Sequence, residues 1–469
     1  MLLDDMCNSS VYASNPFHVL GLTVDMTSRK IRRRQEDVVD GCARMGDQAW
    51  QNEFDKCLLG DCAVPTIETA TSLFERLKDP EYFATAMFFW FWPQAEQNDP
   101  AVESIIKGER DVAVRIWQAD MNKSGERGIV ARHNLAVALH FYAVDGENDI
   151  LSHMGDMDTE YFKAVDRFWK SSFDLWECLV DDDLFWEVFS ERVDRLNDPR
   201  LDEAFIDSFR ERFPICFDNV NADFLVAYAR AGKLNEAKRH FDYMLSTMSG
   251  IDDVEETVER AFKPMVDKVR TLIRQCESVK NPREVLDACR RLLDDSKSLV
   301  STFKTLVPDG NSFTRSVLNE IVVMVDGRLP DYSRATGDYE PCLKLTRELL
   351  PIAATPLQKE KIQKSIEEWE DILRKEREKA TCCVCGRYQR GIPTRTVKMH
   401  KDVHESPIMR GRIEWRTRTI SNVPVCSSCT SRFTYEHARQ FSPVRDSLAE
   451  GWKFGEKPSA AERANASSI

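Results

Sequence analysis

The 469-residue sequence lacks a long hydrophobic run. Its most apolar stretch, residues 83–92, is about half of the roughly 18–20 residues that a membrane-spanning helix needs. Residues 1–10 contain two aspartates and no lysine or arginine before a short apolar patch, which argues against a signal peptide. We therefore expect a cytoplasmic protein.

Signatures of common enzymes are also missing from the sequence. It has no Gly-Lys-Ser/Thr phosphate loop, no Gly-x-Gly-x-x-Gly, no Gly-x-Ser-x-Gly and no His-Glu-x-x-His. The composition, 42% hydrophobic and 30% charged, is typical of a folded globular protein. At this length, about two to four domains are expected. We expect a non-enzymatic protein.

The chain has fourteen cysteines, but their distribution does not suggest a disulfide scaffold. Without secretion, scattered cysteines are mostly reduced, small, buried side chains. Nine of them are scattered in this way: Cys7, Cys42, Cys57, Cys62, Cys178, Cys216, Cys276, Cys289 and Cys342.

Two Cys-x2-Cys pairs near the end of the chain carry the most specific chemistry. Cys382 and Cys385 form the first pair, and Cys426 and Cys429 form the second. Each pair can direct two thiolates at one ion, and together they complete the tetrahedral shell that zinc prefers. Gly386 suits the sharp turn after the first pair. Four thiolates leave no open position for water, so we predict a structural zinc site rather than a catalytic one.

Other ligand sets are possible on sequence grounds. Cys383 could replace Cys382, although a Cys-x-Cys spacing is less usual in such a turn. His400 and His404 are rivals, but residues four apart on a strand lie about 13 Å from each other. His437 is a weaker candidate. A thiol–disulfide role for the second pair would require that the first pair take no part.

The periodicity predicts a mainly α-helical protein with a small β-containing zinc ribbon near the C-terminus. Charged helical sequence with few breakers precedes the ribbon, and residues 327–340 read as a loop because of their glycines and proline. Five regions result: a helical module at 14–93, a helical-repeat domain at 100–248, a charged helical bundle at 250–378, the zinc ribbon at 381–437 and a flexible tail at 438–469.

The first region has a recognisable opening. The segment "NPFHVLGL" at 15–22, the basic helix "SRKIRRR" and the later "RLKDPEYFATAMF" resemble the J-domain of DnaJ-type co-chaperones. The resemblance implies a helical module, a contact of the basic face Arg29–Arg34 with an acidic partner, and a DnaK-type chaperone as a partner. The sequence departs from the family at the His-Pro-Asp tripeptide, which is absent from residues 45–64. That departure argues against stimulation of a chaperone ATPase.

The second region resembles tetratricopeptide repeats at two places. Gly108, Ala113 and Trp117 share their spacing with Gly232, Ala237 and Phe241. In such repeats glycine lies in the tight turn, alanine at the helix contact and the aromatic residue in the core. The sequence between the two repeat-like turns is rich in aromatic residues and predicts a packed core. A groove that binds an aromatic ligand is the alternative interpretation.

Charge suggests a second function. Residues 381–437 carry a formal charge of +6, which leaves −19 for the rest of the chain. A basic ribbon with Arg412, Trp415, Arg416 and Arg418 on an exposed strand pair could bind nucleic acid. The acidic run 181–183 could hold a divalent cation, although a helix cap is its plainer interpretation. Our leading expectation is a protein-binding adaptor or co-chaperone-like scaffold with structural zinc; nucleic-acid binding is the alternative.

Overall fold

The computed structural model describes residues 3, 6–39, 66–94, 99–153, 158–246, 250–307, 311–389, 391–404 and 413–455. Contacts divide the chain into two compact units. Unit 1 comprises Met1–Val269 and Ser296–Phe313, and unit 2 comprises Arg270–Asp295 and Thr314–Ile469. The prediction of a mainly α-helical protein with a small C-terminal sheet is confirmed. The boundaries of the first four predicted regions stay predictions.

Unit 1 is built from helices whose starts follow the sequence signals. Asn15 caps the first helix by accepting from the Phe17 amide at 3.0 Å, and Thr66 caps a later one. The helices are α1 (Pro16–Val19), α2 (28–39), α3 (Ile67–Arg76), α4 (Pro80–Phe88), α5 (Pro100–Ile106), α6 (Arg110–Asp120), α7 (Glu126–Ser152), α8 (Thr159–Val180), α9 (Asp183–Asp194), α10 (Glu203–Arg230) and α11 (Leu234–Ser246).

The residues that carry the J-domain resemblance belong to the interior of unit 1. Asn15 Nδ2 donates to the Ala86 carbonyl at 3.0 Å, and the Phe17 ring packs edge-on against Phe83 with centroids 5.1 Å apart. The predicted break at Lys78-Asp79-Pro80 is observed between α3 and α4. The segment that would hold a His-Pro-Asp motif in a J-domain, 45–64, lies outside the described residues.

The aromatic run after α4 differs from its predicted form. The aromatic run from Tyr82 to Trp92 predicts a helix that continues to Pro93, but α4 ends at Phe88. The Asn134 side chain explains the difference, because its Oδ1 accepts from the Trp92 amide at 2.7 Å and its Nδ2 donates to the Trp92 carbonyl at 2.8 Å. Trp92 also stacks on His133 with ring centroids 3.7 Å apart. Long-range contacts thus outweigh local helix propensity here.

The two glycine-centred turns have the local geometry that their shared spacing indicates. Gly108 lies between α5 and α6 with φ +77°, and Gly232 lies between α10 and α11 with φ +72°. An L-residue at such φ is strained, so glycine is the natural choice. Ala113 and Ala237 are fully buried at the helix contacts that follow. The predicted packed aromatic core is also present, and it includes Trp169, Trp176, Phe185 and Phe189.

A buried carboxylate joins α7 to α8, α10 and α11. Glu147 accepts from Trp169 Nε1 at 3.1 Å, from the Tyr228 hydroxyl at 2.5 Å and from Arg239 Nη2 at 2.6 Å. Burial alone would raise the pKa of Glu147, but His240, whose Nε2 lies 3.5 Å from Glu147 Oε2, and the charge of Arg239 hold it at about 2. The carboxylate is therefore an ionised, multiply hydrogen-bonded anchor in the core.

Three long helices contribute residues to both units: α12 (Ile251–Ser278), α13 (Val285–Leu306) and α14 (Ser312–Thr336). Unit 2 continues with α15 (Glu340–Leu349) and α16 (Pro356–Lys379). The prediction of a loop at 327–340 is wrong for residues 327–336, because α14 continues through Gly327 and Pro330 to Thr336. Burial of Val325 and Leu329 on the same helix offsets the hydrogen bond that Pro330 cannot make. Within the described residues, none of the helices combines the length and apolar character needed to cross a bilayer.

A three-stranded antiparallel sheet follows the helices, in the order β2-β1-β3. The strands are β1 (Thr394–His404), β2 (Ile413–Pro424) and β3 (Lys453–Phe454). The first two fall on the Thr-, Val- and Ile-rich segments 394–403 and 411–425, whose composition predicts strands. Val397 and Met399 on β1 are buried and Lys398 between them is exposed, which is the period-two pattern of a sheet with one covered face.

The region after β2 is more ordered than expected. The short helix α17 (Tyr435–Ala438) is followed by α18 (Ser442–Ala449) and β3. The prediction of a flexible tail from residue 438 is therefore wrong for residues 438–455. Ala438, Phe441 and Val444 are buried. Apolar packing against the sheet therefore orders this segment, and residues 456–469 lie outside the described part of the chain.

Candidate metal centre

The first cysteine pair lies in a tight turn just after α16. The Gly386 amide donates to the Cys382 carbonyl at 2.8 Å, and the Cys382 amide donates to the Arg387 carbonyl at 2.9 Å. Gly386 has φ +71°, a conformation that a side chain would strain. The turn thereby places Cys382 and Cys385 on one side of the loop, as the spacing predicts.

The second pair begins where β2 ends. Cys426 precedes the short 3-10 helix Ser427–Arg432, and the Cys429 amide donates to the Cys426 carbonyl at 2.9 Å. The two turns are joined directly, because the Cys383 amide donates to the Pro424 carbonyl at 3.0 Å. The Cys426 amide also donates to Cys382 Sγ at 3.3 Å. Backbone hydrogen bonds thus hold the two pairs against each other.

All four predicted cysteines meet at one point. The Sγ atoms of Cys382, Cys385, Cys426 and Cys429 lie within 4.8 Å of one another, and those of Cys385 and Cys426 are 3.8 Å apart. Four sulfurs at about 2.3 Å from a tetrahedral zinc would be about 3.8 Å apart, whereas a disulfide needs about 2.05 Å. The spacing fits four thiolates around a common ion, so the cluster could hold a metal ion such as zinc.

The electrostatics of the cluster also fit a cation. The Ser428 hydroxyl, 3.1 Å from Cys426 Sγ, lowers the pKa of Cys426 to about 6. Hydrogen bonding to Cys426 raises the pKa of Cys429 to about 11. Neighbouring thiols cannot all ionise without a positive charge between them. Arg432 Nη2 supplies part of that charge at 3.5 Å from Cys429 Sγ, and a divalent ion would supply the rest.

The rival ligands lie elsewhere in the part of the chain that the structure describes. Cys383 points into the apolar core of the module, and burial raises its pKa to about 11. His400 is on β1 with Nδ1 3.4 Å from the Gly455 carbonyl, and His437 Nδ1 accepts from the Thr434 amide at 3.2 Å. The side chain of His404 lies outside the described residues. None of the described rivals belongs to the four-sulfur group.

The cysteines are part of a small hydrophobic core. Three of the four clustered thiols, Cys382, Cys426 and Cys429, are buried, while Cys385 is exposed. Partly buried side chains pack around this core at Val384, Phe433, Leu448, Trp452 and Phe454. The fully buried members besides the cysteines are Ile392, Val397, Met399, Ile420, Val423, Val425, Ala438, Phe441 and Val444.

The predicted basic strand is only partly available to an external anion. Arg418 Nη1 pairs with Glu450 at 2.8 Å, and its guanidinium lies 4.4 Å from the centre of the Trp452 ring. Arg416 is exposed on the same strand. Arg412 and the side chain of Trp415 lie outside the described residues.

Two other charged sequences form local structure. Asp182 caps α9 by accepting from the Leu184 amide at 3.1 Å and pairs with Arg132 at 3.2 Å, as expected of a helix cap. On the basic helix α2, Arg34 Nε donates to the Leu20 carbonyl at 3.0 Å, so one member of the predicted interaction face is turned to the interior of unit 1.

A groove borders the metal centre within unit 2. It has a volume of about 1390 Å³ and lies between α15, α16 and the two cysteine turns. Leu343, Leu373 and Phe441 provide apolar surface, and Cys382 and Cys383 form part of one wall. Its charged lining residues are Arg290, Lys344, Arg347, Arg374 and Arg377, balanced by Asp338, Glu340, Glu348, Glu370 and Glu378.

Sequence reasoning missed the groove and two side chains beside the cluster. Ser428 and Arg432 follow Cys426 so closely that a hydroxyl and a cation near the second pair could have been noticed. The groove has no such signal, because its walls are far apart in sequence.

Comparison of the chain with protein-family models, with curated proteins and with solved structures finds no match. The J-domain and tetratricopeptide resemblances therefore rest on the residues quoted above. What the structure establishes is a mainly helical chain with a four-cysteine cluster in a small three-stranded sheet.

Proposed function

We infer that the protein is a non-enzymatic adaptor that binds a protein segment in the groove beside a structural zinc site. The observation that carries the inference is the lining of the groove, which joins apolar surface to acidic and basic side chains in equal number. A polyanion such as nucleic acid favours a surface of one positive sign. A protein segment can match apolar patches and both charges, as protein interfaces commonly do.

Bound zinc would contribute to this groove by fixing the position of one of its walls. Cys382 is at once a member of the four-sulfur group and a wall residue of the groove. Zinc bound by Cys382, Cys385, Cys426 and Cys429 would fix that wall relative to α16, and a closed four-thiolate shell would leave the ion no position for a substrate. Binding of the partner should therefore depend on the metal without any chemistry at the metal.

Ion pairs across the lining prepare the groove for a partner. Arg290 pairs with Glu348 at 3.1 Å, and Arg347 pairs with Glu370 at 2.6 Å between α15 and α16. Such pairs hold the charged side chains in defined positions, so fewer of them must be ordered when a partner binds. Within the described residues, Lys344 makes no ion pair, which leaves it available to an acidic side chain of the partner.

The co-chaperone form of this role rests on the resemblance of residues 15–22 and 28–34 to a J-domain. Asn15 and Phe17 are used in internal packing, and no His-Pro-Asp tripeptide occurs in residues 45–64. That a DnaK-type chaperone is the partner stays a prediction based on the resemblance. Whatever its identity, we assign the partner to the groove.

Two substitutions on α16 test the proposal. Leu373 lines the groove, whereas Leu357 on the same helix is 63% exposed and does not. The wild-type chain is first used to capture proteins from the native cell, and each captured protein is purified. For at least one of them, the affinity for the chain should fall about tenfold or more with Leu373→Glu and stay unchanged with Leu357→Glu. Equal affinity for the two variants would contradict the proposal, as would capture of nucleic acid alone.

A further inference from the structure

Two cysteines outside the metal centre lie against each other in unit 2. Cys276 Sγ and Cys289 Sγ are 3.6 Å apart, and both side chains are buried. Cys276 lies in the last turn of α12 and Cys289 in the first turns of α13, with residues 279–284 forming the connection between the helices. The helical hairpin thus brings together two thiols that are thirteen residues apart in sequence.

Arg328 on α14 holds this hairpin from the side. Its Nη2 donates to the Val279 carbonyl at 2.6 Å, and its Nη1 pairs with Asp331 at 2.8 Å. The buried Nε of Arg328 has no hydrogen-bond partner among the described residues. Its charge acts on both Cys276 and Cys289. The guanidinium of Arg328, whose position is fixed and whose Nε lacks a hydrogen-bond partner among the described residues, would therefore stabilise a thiolate at Cys276 or Cys289.

The contact makes the two thiols unequal. The hydrogen bond with Cys289 lowers the pKa of Cys276, and the positive charges of Arg328 and Arg291 lower it further. The same hydrogen bond, together with burial, raises the pKa of Cys289 strongly. Cys276 is the thiol that more readily becomes a nucleophilic thiolate.

We propose that Cys276 and Cys289 form a reversible disulfide when the protein meets a hydroperoxide. The Cys276 thiolate attacks one peroxide oxygen, the O–O bond breaks, and a sulfenic acid and hydroxide form. The Cys289 sulfur then attacks the sulfenic sulfur, gives up its proton and expels hydroxide. Two thiols and one hydrogen peroxide thereby give one disulfide and two waters.

The structural change that this reaction needs is small. The sulfurs must approach from 3.6 Å to about 2.05 Å, a distance that side-chain rotation on two adjacent helices can supply. Cys342 is the nearest competitor, but its Sγ donates to the carbonyls of Leu329 and Asp338 at 3.7 and 3.8 Å, and burial raises its pKa to about 11. Cys342 should stay reduced.

Peptide mapping of the full-length, zinc-loaded protein tests the proposal. Trypsin places Cys276 in peptide 275–280 and Cys289 in peptide 284–290, each with a single cysteine. After hydrogen peroxide, unfolding and alkylation, the two peptides should appear cross-linked, lighter than their sum by two hydrogen atoms, and a thiol reductant should separate them. The buried thiol Cys7 should be recovered alkylated at the same dose.

Two variants test the order of the steps. In Cys289→Ser a sulfenic acid at Cys276 should persist and react with dimedone, whereas Cys276→Ser should leave Cys289 as a thiol. Recovery of both wild-type peptides as alkylated thiols, at a dose that oxidises the exposed Cys178, would overturn the proposal. A dominant link between Cys289 and Cys342 would also overturn it. The wild-type map does not depend on whether the variants fold.

Discussion

Replacing Cys426 by serine should release the metal and unfold the C-terminal module. Cys426 Sγ is 3.8 Å from Cys385 Sγ, and the Cys426 amide donates to Cys382 Sγ at 3.3 Å. The residue therefore belongs both to the four-sulfur group and to the backbone contact that joins the two turns. Serine keeps the backbone but removes one of four thiolates.

The magnitude follows from comparing two free energies. Structural zinc in small modules contributes an apparent binding free energy of about 10–16 kcal/mol near pH 7, and most of it is folding free energy. A whole domain is commonly stable by only about 5–15 kcal/mol. Loss of even half of the metal contribution therefore exceeds what the small apolar core around Val397 and Val423 can replace.

The assay combines metal content with hydrogen exchange. We expect one zinc per chain in the wild type and none in Cys426→Ser, with loss of amide protection over β1 and β2. Cys383→Ala is the matched control, because Cys383 lies in the adjoining first cysteine turn and is about as buried as Cys426, but is outside the four-sulfur group. It should lower stability by about 1–2 kcal/mol and keep the zinc.

The reasoning is refuted if Cys426→Ser retains both a full equivalent of zinc and the protection of β1. It is also refuted if Cys383→Ala loses the metal, since Cys383 would then be a ligand.

Two further predictions concern unit 1. Burial lowers the pKa of His133 and of His140 from 6.5 to about 3, so the unfolded chain binds more protons below pH 6.5 and stability falls as the pH falls towards 3. Each of these two histidines should lower the free energy of unfolding by about 2 kcal/mol between pH 7 and pH 5. Urea unfolding at the two pH values measures the difference, and His140→Phe should reduce it by about 2 kcal/mol. An unchanged difference would contradict the role given to His140. Glu147→Gln should cost about 3–5 kcal/mol because it leaves Arg239 without its buried partner. Glu103 is a half-exposed carboxylate that pairs with Lys107, and Glu103→Gln should lower the free energy of unfolding by less than about 0.5 kcal/mol. Equal costs for the two substitutions would contradict the role given to Glu147.

The four-cysteine cluster and the class of fold could be predicted because their signals are local. The Cys-x2-Cys spacing, Gly386 and the alternation around Val397 each specify geometry within a few residues. Asn15 and Thr66 likewise mark helix starts through hydrogen bonds to amides two or three residues away.

What could not be predicted depends on distant parts of the chain. The end of α4 is set by Asn134, forty-two residues after Trp92. The helix through Pro330 is stabilised by burial that the local sequence does not reveal, and the ordered segment after residue 438 depends on packing against the sheet. The contact between Cys276 and Cys289 could be predicted only if the hairpin of α12 and α13 were already known.

The most direct measurement of the central claim is the elemental analysis of the wild-type protein, purified without chelators. We predict one zinc per chain, bound by Cys382, Cys385, Cys426 and Cys429, and released together with four titratable thiols when a strong chelator is added to the unfolded protein. Freshly purified, folded protein that contains neither zinc nor another thiophilic metal would contradict the account.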